Sequence, residues 1–263
     1  MTFTLPAGTL VSGNGNFVYN ITGTPANVLT MSIPISFGSI SCNVSVVVTT
    51  AGNGSVVNMC MGNNIAKSWM AHNLGADTNL DPNTNVITKG LHGNYYQWGR
   101  PVPVADADTS ADAIFPWDTS NSAPNTAWNS GTAYAPIKTG FDPCPSGFRI
   151  PTRAEWVSLN SNNSPSRLGT FVSDPTNFSS ALVYTCGGNK MTLPAAGMRT
   201  RTNGTLQNRG SNGYYWSSDH TSNQNGATNA LAYGVMFGPN TIDPQYYNYI
   251  YRSFGFSVRC ISE

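Results

Sequence analysis

Charged residues are scarce in this chain. Asp, Glu, Lys and Arg together make up 10% of its 263 residues and leave a formal net charge of +1 at pH 7. A chain so weakly basic offers no electrostatic footprint for the phosphate backbone of nucleic acid. No stretch approaches the roughly 18 apolar residues of a membrane-spanning helix. The composition therefore argues against a nucleic-acid-binding domain and predicts no membrane insertion by this sequence.

The short motifs of common catalytic sites are also missing. The sequence contains no GxSxG, HExxH, P-loop or GxGxxG pattern and no CxxC pair. Its three histidines, His72, His92 and His220, lie among unlike neighbours. We interpret the first two as packed or loop residues and the third as a candidate contact residue. These absences predict a protein that is not an enzyme, with no catalytic residues and no cofactor.

What is present favours β structure. Glycine (26 residues), proline (17) and aromatic residues (11%) are typical of a loop-rich protein dominated by strands. Residues 1–62 show short alternating apolar runs broken by Gly, Pro and Asn, and we interpret them as a small all-β, sandwich-like spacer. The ITGTP turn at 21–25 and this composition resemble the β-sandwich repeats of secreted Bacteroidetes surface proteins. A second domain is predicted for residues 63–263, after a short linker.

The five cysteines are Cys42, Cys60, Cys144, Cys186 and Cys260. In a charge-poor chain, cysteines without CxxC spacing indicate disulfides and an oxidising compartment, so we expect an extracellular or cell-surface location. Spacing alone does not fix the pairing. We favour Cys144 with Cys260 and Cys42 with Cys60, which would leave Cys186 as a buried free thiol. The sequence starts directly in a strand-like segment, and we expect any signal or anchor to lie outside it.

One segment carries a clear helix pattern. Thr152 is a good N-cap, Glu155 stands three residues later as in a capping box, and Trp156 with Leu159 form an apolar stripe. Elsewhere the patterns indicate strands and long loops. The resulting prediction is an α+β domain with little helix.

Several motifs occur in a specific order from Trp69 to the C-terminus: WMAHNL, YYQWG, PCPSGFRIPTRAEW, LPAAGMR, YYWSS and GFSVRC. Together they resemble the Fibrobacter succinogenes major paralogous domain. GFRIPTRAEW is also similar to the GFRLPTEAEWE motif of the formylglycine-generating-enzyme family. Both resemblances imply a C-type-lectin-like fold with long loops.

The enzyme relative implies a copper-dependent oxidase that uses a pair of cysteines in the C-terminal part of the domain. Here only Cys260 follows Cys186, whereas a soft-metal site needs converging sulfurs. We therefore expect no such activity. Asp106, Asp108 and Asp112 are close in sequence and form a weak calcium candidate, for which a solvated surface loop is the alternative.

Two further sets of residues are interpreted as structural. Tryptophans inside the motifs are predicted to anchor the core, and arginines beside apolar residues are predicted to satisfy loop carbonyls. They are Trp98, Trp156, Trp216, Arg149, Arg199 and Arg259.

The stretch from Asp219 to Phe254 is rich in Tyr, Asn and Ser, a composition suited to contact rather than to a core. The run LAYGVMF alternates, and one side of its strand is expected to face solvent. Four tyrosines within six residues are expected to leave an aromatic patch exposed. The predicted contact residues are Asp219, His220, Asn223, Tyr233, Phe237, Tyr246, Tyr247, Asn248, Tyr249, Tyr251 and Phe254.

The position of this stretch before the GFSVRC end resembles the variable region of proteins diversified by retroelements. We therefore predict a monomeric binding or adhesion module whose C-terminal face binds a protein or glycan ligand on another cell or surface. The resemblance implies that this face is hypervariable. The alternatives are a structural or adhesive surface subunit without a diversified site and the oxidase named above.

Overall fold

The computed structural model describes residues 56–221, 231–246 and 250–263 in full, together with the backbone of four strands within residues 2–48. The chain divides into two units, Met1–Gly52 and Asn53–Glu263. In the first unit, β1 (Thr2–Thr4) pairs antiparallel with β2 (Asn20–Thr22), and β3 (Leu29–Phe37) pairs antiparallel with β4 (Ile40–Val48). The described strands of this unit therefore form two separate antiparallel ladders.

The second unit begins with a hairpin. Strand β5 (Val56–Cys60) pairs antiparallel with β6 (Ala66–Met70), and Gly62, Asn63 and Asn64 in the turn between them have positive φ angles. Gly and Asn are the residues that adopt this conformation most readily. The predicted linker, GNNIAKS at 62–68, thus forms the hairpin turn and the start of β6. The division between the units lies at Gly52 rather than at the predicted residue 62.

Thirteen further strands complete the described part of the second unit, with the helix α1 (Arg153–Asn162) and a 3-10 turn at Lys89–Leu91. The strands are β7 (Tyr95–Gln97), β8 (Pro103–Ala105), β9 (Phe148–Arg149), β10 (Ser164–Leu168), β11 (Ala181–Cys186), β12 (Asn189–Pro194), β13 (Met198–Arg199), β14 (Leu206–Gln207), β15 (Gly213–Thr221), β16 (Leu231–Phe237), β17 (Ile242–Tyr246), β18 (Gly255–Ser257) and β19 (Ile261–Ser262).

These strands form three sheets. The largest has eight strands in the order β14-β13-β18-β15-β16-β17, with β7 paired to β18 and β8 paired to β7. A four-stranded sheet has the order β5-β6-β19-β9, and a three-stranded sheet has the order β10-β11-β12. The β15–β18 pair is parallel, with Tyr215 opposite Ser257. The C-terminal strands β18 and β19 thus belong to two different sheets.

The predicted α+β, C-type-lectin-like fold is wrong. Strands far outnumber helices among the described residues, which contain a single α-helix and no closed barrel. The physical reason is that a capped helix pattern occurs only once in this part of the chain, whereas the other apolar segments alternate as strands do. The domain is therefore mostly β.

Helix α1 forms as its sequence predicts. The Thr152 hydroxyl accepts the backbone N–H of Glu155 at 3.2 Å, and the Glu155 carboxylate accepts the N–H of Thr152 at 2.9 Å. This reciprocal pair is the capping box. Trp156 and Leu159 are buried, and the indole of Trp156 donates to the carbonyl of Trp216 at 3.1 Å. The cap and the buried stripe therefore fix the helix N-terminus against β15.

The large sheet is buried on both faces at its centre. Along β15, Tyr214 and Trp216 enter one hydrophobic core while Tyr215 enters a second. Along β16, Ala232 belongs to the first core and Val235 to the second. The expectation that one side of this strand faces solvent is wrong, because β16 lies between β15 and β17 with a core on each side.

Two disulfides lie in the second unit. Cys144 is bonded to Cys260, the pairing that the sequence favoured. Cys60 is bonded to Cys186, so the predicted Cys42–Cys60 pair and the predicted free thiol at Cys186 are wrong. The reason is that β5 and β11 belong to different sheets that pack in the same core. The two cysteines are 126 residues apart in sequence, so spacing does not indicate that they are neighbours.

The tryptophans interpreted as core anchors, Trp98, Trp156 and Trp216, are confirmed as fully buried, and His72 and His92 are confirmed as packed. Among the described residues, no helix has the length and apolar character needed to cross a membrane.

Candidate ligand-binding cleft

The N-terminus of helix α1 forms one wall of a polar cleft. Glu155 is held by both amino groups of Arg149 at 2.7 and 2.6 Å and by Lys67 at 3.0 Å. Burial opposes ionisation of this carboxyl, but the hydrogen bonds and charge of Arg149 outweigh burial and lower the pKa of Glu155. This fixed carboxylate, together with the Thr152 cap, makes the start of the helix a rigid support.

Asp219 contacts the first turn of helix α1. Its carboxylate accepts the backbone N–H of Arg153 at 2.6 Å, a favourable position because the positive end of the helix dipole stabilises an anion there. Burial raises the pKa of Asp219, and the Arg153 N–H and guanidinium oppose that shift. The strand end that carries Asp219 is therefore joined to the helix by a charge-assisted hydrogen bond.

A bulge in β15 explains why consecutive residues line the same cleft. Trp216 pairs with Gly234 and His220 pairs with Ala232, so β15 carries two more residues than β16 between these pairs. In a regular strand, neighbouring side chains point to opposite faces. Here Ser218, Asp219 and His220 all contribute to the cleft wall. The bulge thus turns three adjacent side chains towards one site.

The opposite wall is the loop 125–133. The Asn129 side-chain oxygen accepts the N–H groups of Gly131 and Ile137, both at 2.9 Å, and thereby shapes the loop from within. Arg252 donates to the Asn125 side-chain oxygen at 2.5 Å and lies over the ring of Trp98 at 4.3 Å. The loop is therefore tied to the core by a buried guanidinium.

The cleft between these walls has a volume of about 310 Å³ and an open mouth. At its side the Arg153 guanidinium lies over the ring of Tyr233, 4.6 Å from the centroid. The His220 side chain is exposed, and partial desolvation followed by the charge of Arg252 lowers the pKa of its imidazole, against the opposing charge of Asp219. The cleft thus presents a carboxylate, a guanidinium, an imidazole and an aromatic ring.

The structure brings together three of the predicted contact residues, Asp219, His220 and Tyr233. Phe237 is fully buried in the second core, so its predicted contact role is wrong: it lies on the inner face of a central strand.

Other predicted residues lie away from the cleft. Tyr246 is half-buried against Tyr214, with ring centroids 6.1 Å apart. Phe254 is half-buried and packs on the first core. Tyr251 lies under the guanidinium of Arg201 at 4.3 Å. The remaining predicted residues lie outside the described part of the chain: Asn223, Tyr247, Asn248 and Tyr249.

Sequence reasoning missed Ser218, Arg153 and the loop 125–133. Arg153 follows the N-cap in the PTRAEW motif, and the first turn of a helix exposes its side chain, so this position offered a signal. Ser218 lies inside the YYWSS motif, which reads as a core strand. The loop carries no motif, and only the tertiary structure places it opposite β15.

The calcium candidates do not converge. The Asp106 carboxylate accepts the N–H groups of Asp108 and Thr109 at 3.0 and 2.8 Å, and these bonds are those of a local turn. Asp112 accepts from Ser110, and Asp108 pairs with Lys89. Within the described ranges, no group of three or more His, Cys, Asp or Glu side chains is arranged to hold a metal.

The fold and the cleft define a mostly β, disulfide-bonded domain with a polar surface site. Residues 51–262 match the Fibrobacter succinogenes major domain, so the chain belongs to that family, as the ordered motifs predicted. Searches of curated proteins and of solved structures found no match.

Proposed function

We propose that the second unit is a non-enzymatic ligand-binding module, displayed outside the cell, whose binding site is the cleft between α1, the end of β15 and the loop 125–133. The observation that carries this proposal is the convergence of Asp219, His220 and Tyr233 with Arg153 in one open polar cleft built on a capped helix and a sheet strand. Polar groups held by rigid elements are typical of binding sites.

Two further observations support this assignment. The two disulfides indicate an oxidising compartment, which suits a protein that meets ligands on another cell or surface. Cys186 and Cys260, on which an oxidase activity would depend, are bonded to Cys60 and Cys144.

The test uses two matched arginine variants. Arg153 lies over Tyr233 inside the cleft, and Arg201 lies over Tyr251 elsewhere on the unit. Ligands would be selected from a glycan array and from a protein-display library with the unmodified chain. Arg153→Ala is expected to weaken the selected interaction about tenfold or more, whereas Arg201→Ala is expected to leave it unchanged. If Arg201→Ala alone abolishes binding, the site is the tyrosine-rich face predicted from sequence and not the cleft.

A structural or adhesive surface subunit is the competing function, and its copies would associate with each other. Light scattering during size-exclusion chromatography separates the two: a monomer at all concentrations agrees with a free cleft. Diversification of residues 219–254 by a retroelement is a further hypothesis that rests on their composition. Sequencing the locus tests it, since a reverse transcriptase and an adenine-rich template repeat must lie nearby.

A further inference from the structure

One hydroxyl group in the cleft is buried and lacks a hydrogen-bond partner. Ser218 is 2% exposed, lines the cleft and has no partner for its Oγ among the described residues, although its backbone N–H donates to the carbonyl of Pro151 at 2.8 Å. A buried hydroxyl is normally paired because an unpaired one destabilises the fold. At the wall of an open cleft, such a group is positioned for a ligand.

Other groups in the cleft are free to pair. Only one oxygen of Asp219 is used by Arg153, and the Asn125 side chain uses its oxygen for Arg252, which leaves its amide N–H groups without a partner in the described part of the chain. Asn129, in contrast, uses its side-chain oxygen and one amide N–H to shape the chain around its own loop. The groups available to a ligand are therefore the carboxylate of Asp219 as an acceptor, the amide of Asn125 as a donor, and the hydroxyl of Ser218, which can both donate and accept.

The charges of the cleft are balanced. No ion pair in the described part of the chain includes Arg153, and its positive charge faces the negative charge of Asp219 across the helix start. The helix N-terminus, which would attract an anionic ligand, is already taken by Asp219. Because one charge of each sign lines the cleft, attraction and repulsion offset each other for a ligand of either net charge, so the charges of the cleft do not favour an ionic ligand.

From these observations we propose that the cleft binds an uncharged polyhydroxylated ligand, namely a neutral sugar ring at the end of a glycan; this inference rests on the proposed function. Adjacent hydroxyl groups of a sugar donate to the Asp219 carboxylate and accept from Asn125 and Arg153, while Ser218 Oγ pairs with a further hydroxyl. The volume of about 310 Å³ lies at the small end of ligand sites, about 300–1,000 Å³, and suits a terminal sugar rather than a long chain.

The experiment follows the backbone amide signals of Arg153, Ser218 and Asp219 by NMR during titration. The neutral probes are methyl glycosides of glucose, galactose, mannose and N-acetylglucosamine, and the charged probes are acetate, inorganic phosphate and methylammonium. At least one glycoside is expected to shift the three signals saturably, and the charged probes are expected to shift them far less. Saturable shifts from charged probes alone would overturn the sugar assignment and leave the cleft as a binding site.

Two serine variants provide the matched control. Ser257, like Ser218, is buried with an Oγ that has no partner among the described residues, but it does not line the cleft. Ser218→Ala is expected to weaken glycoside binding about 3- to 10-fold, the value of one hydrogen bond, without lowering the melting temperature. Ser257→Ala is expected to leave binding unchanged. Equal effects of both variants, or none from Ser218→Ala, contradict the assignment.

Charge balance has its own variant. Asp219→Asn keeps an oxygen for the Arg153 N–H and removes the negative charge, so acetate is expected to gain affinity about tenfold or more while the glycoside loses affinity. If acetate binds the variant no better, charge balance does not select the ligand. If no glycoside or arrayed neutral glycan binds but a display-selected protein shifts the same signals, the sugar inference fails and the proposed function stands.

Discussion

Three buried arginines, Arg199, Arg252 and Arg259, donate to backbone carbonyl groups. Arg149, for which the same role was predicted, chiefly binds the carboxylate of Glu155. Arg259 is fully buried and donates to the carbonyls of Met70, Ala71 and Thr192 at 2.9, 2.5 and 2.7 Å, and to the side-chain oxygen of Asn73 at 2.8 Å. Burial lowers the pKa of its guanidinium to about 10, which keeps it charged at neutral pH. One side chain thus satisfies several backbone acceptors around the core.

Arg259→Met is therefore expected to destabilise the second unit by about 3 kcal/mol or more. Each buried carbonyl left without a donor lowers the stability by roughly 1–3 kcal/mol. The sum exceeds the stability gained by removing a buried charge. Urea unfolding followed by tryptophan fluorescence measures the change. Arg100→Met is the control, because Arg100 forms an exposed pair with Asp118 whose loss is expected to change stability by less than about 1 kcal/mol. Equal effects would contradict the role of Arg259.

His92 makes stability depend on pH. Its ring is buried, its Nε2 lies 3.0 Å from the carbonyl of Phe178, and burial lowers the pKa of the imidazole to about 4. In the unfolded chain the pKa returns to about 6.5, so the unfolded chain binds the proton first as the pH falls. Neutral His92 therefore makes its full contribution to the free energy of unfolding above about pH 6.5. This contribution is lost progressively as the pH falls towards 4.

Between pH 7 and pH 4.5, the unmodified chain is expected to lose about 2–3 kcal/mol more stability than His92→Gln. The measurement is the free energy of unfolding in urea at the two pH values. His220→Gln, a change at an exposed histidine, is expected to retain the steep pH dependence of the unmodified chain. If the free energy of unfolding of His92→Gln falls by the same amount as that of the unmodified chain, other groups cause the pH dependence.

At the scale of elements, the start of α1 serves both the fold and the cleft. The capping box fixes Thr152 and Glu155, and the next backbone N–H, that of Arg153, holds Asp219. The bulge in β15 then completes the wall. In this mostly β unit, helix α1 therefore has a local role, which is to present its N-terminus to the end of a strand.

Thr152→Ala is expected to destabilise the unit by about 1 kcal/mol, because the N–H of Glu155 loses its partner. Thr119→Ala, at an exposed loop position, is expected to change stability by less than about 0.5 kcal/mol. The midpoints of urea unfolding compare the two variants. A loss at Thr152 no greater than that at Thr119 would mean that the cap contributes nothing measurable.

At the scale of the whole second unit, disulfides connect parts that lie far apart in sequence. Cys60–Cys186 joins β5 of the four-stranded sheet to β11 of the three-stranded sheet. Cys144–Cys260 joins the chain before β9 to the chain after β18, across 116 residues. The loss of loop entropy in the unfolded chain makes such long connections the more stabilising ones in the chain-entropy account.

The double variant Cys144→Ala/Cys260→Ala is expected to lose about 3–5 kcal/mol of stability. The midpoint of guanidinium unfolding measures this loss. Cys42→Ala is the control, since Cys42 lies in the first unit and is expected to leave unfolding of the second unchanged. If the double variant unfolds at the same guanidinium concentration as the unmodified chain, this disulfide adds little to the stability of the second unit.

Local patterns were predictable where they depend on neighbours in sequence. The cap of α1 and its apolar stripe follow from residues within two turns, and the buried tryptophans follow from the apolar segments around them. Asp219, His220 and Tyr233 were predicted as contact residues from composition, but the same reasoning included Phe237, which is in the core. Composition does not show which side chains of a strand are buried, and Phe237 is buried because the second core covers its face of β16.

By itself, the sequence determined the family, the helix start and the presence of a disulfide framework, because these depend on short motifs and residue types. Only the tertiary structure decided the arrangement of the strands into three sheets, the Cys60–Cys186 pair and the cleft. Each of these depends on contacts between segments far apart in the chain. Asp219 accepts the N–H of Arg153 only because β15 packs on α1, and the bulge in β15 turns Ser218 and His220 to the same side. Such long-range register is set by packing of the sheets, which no local pattern records.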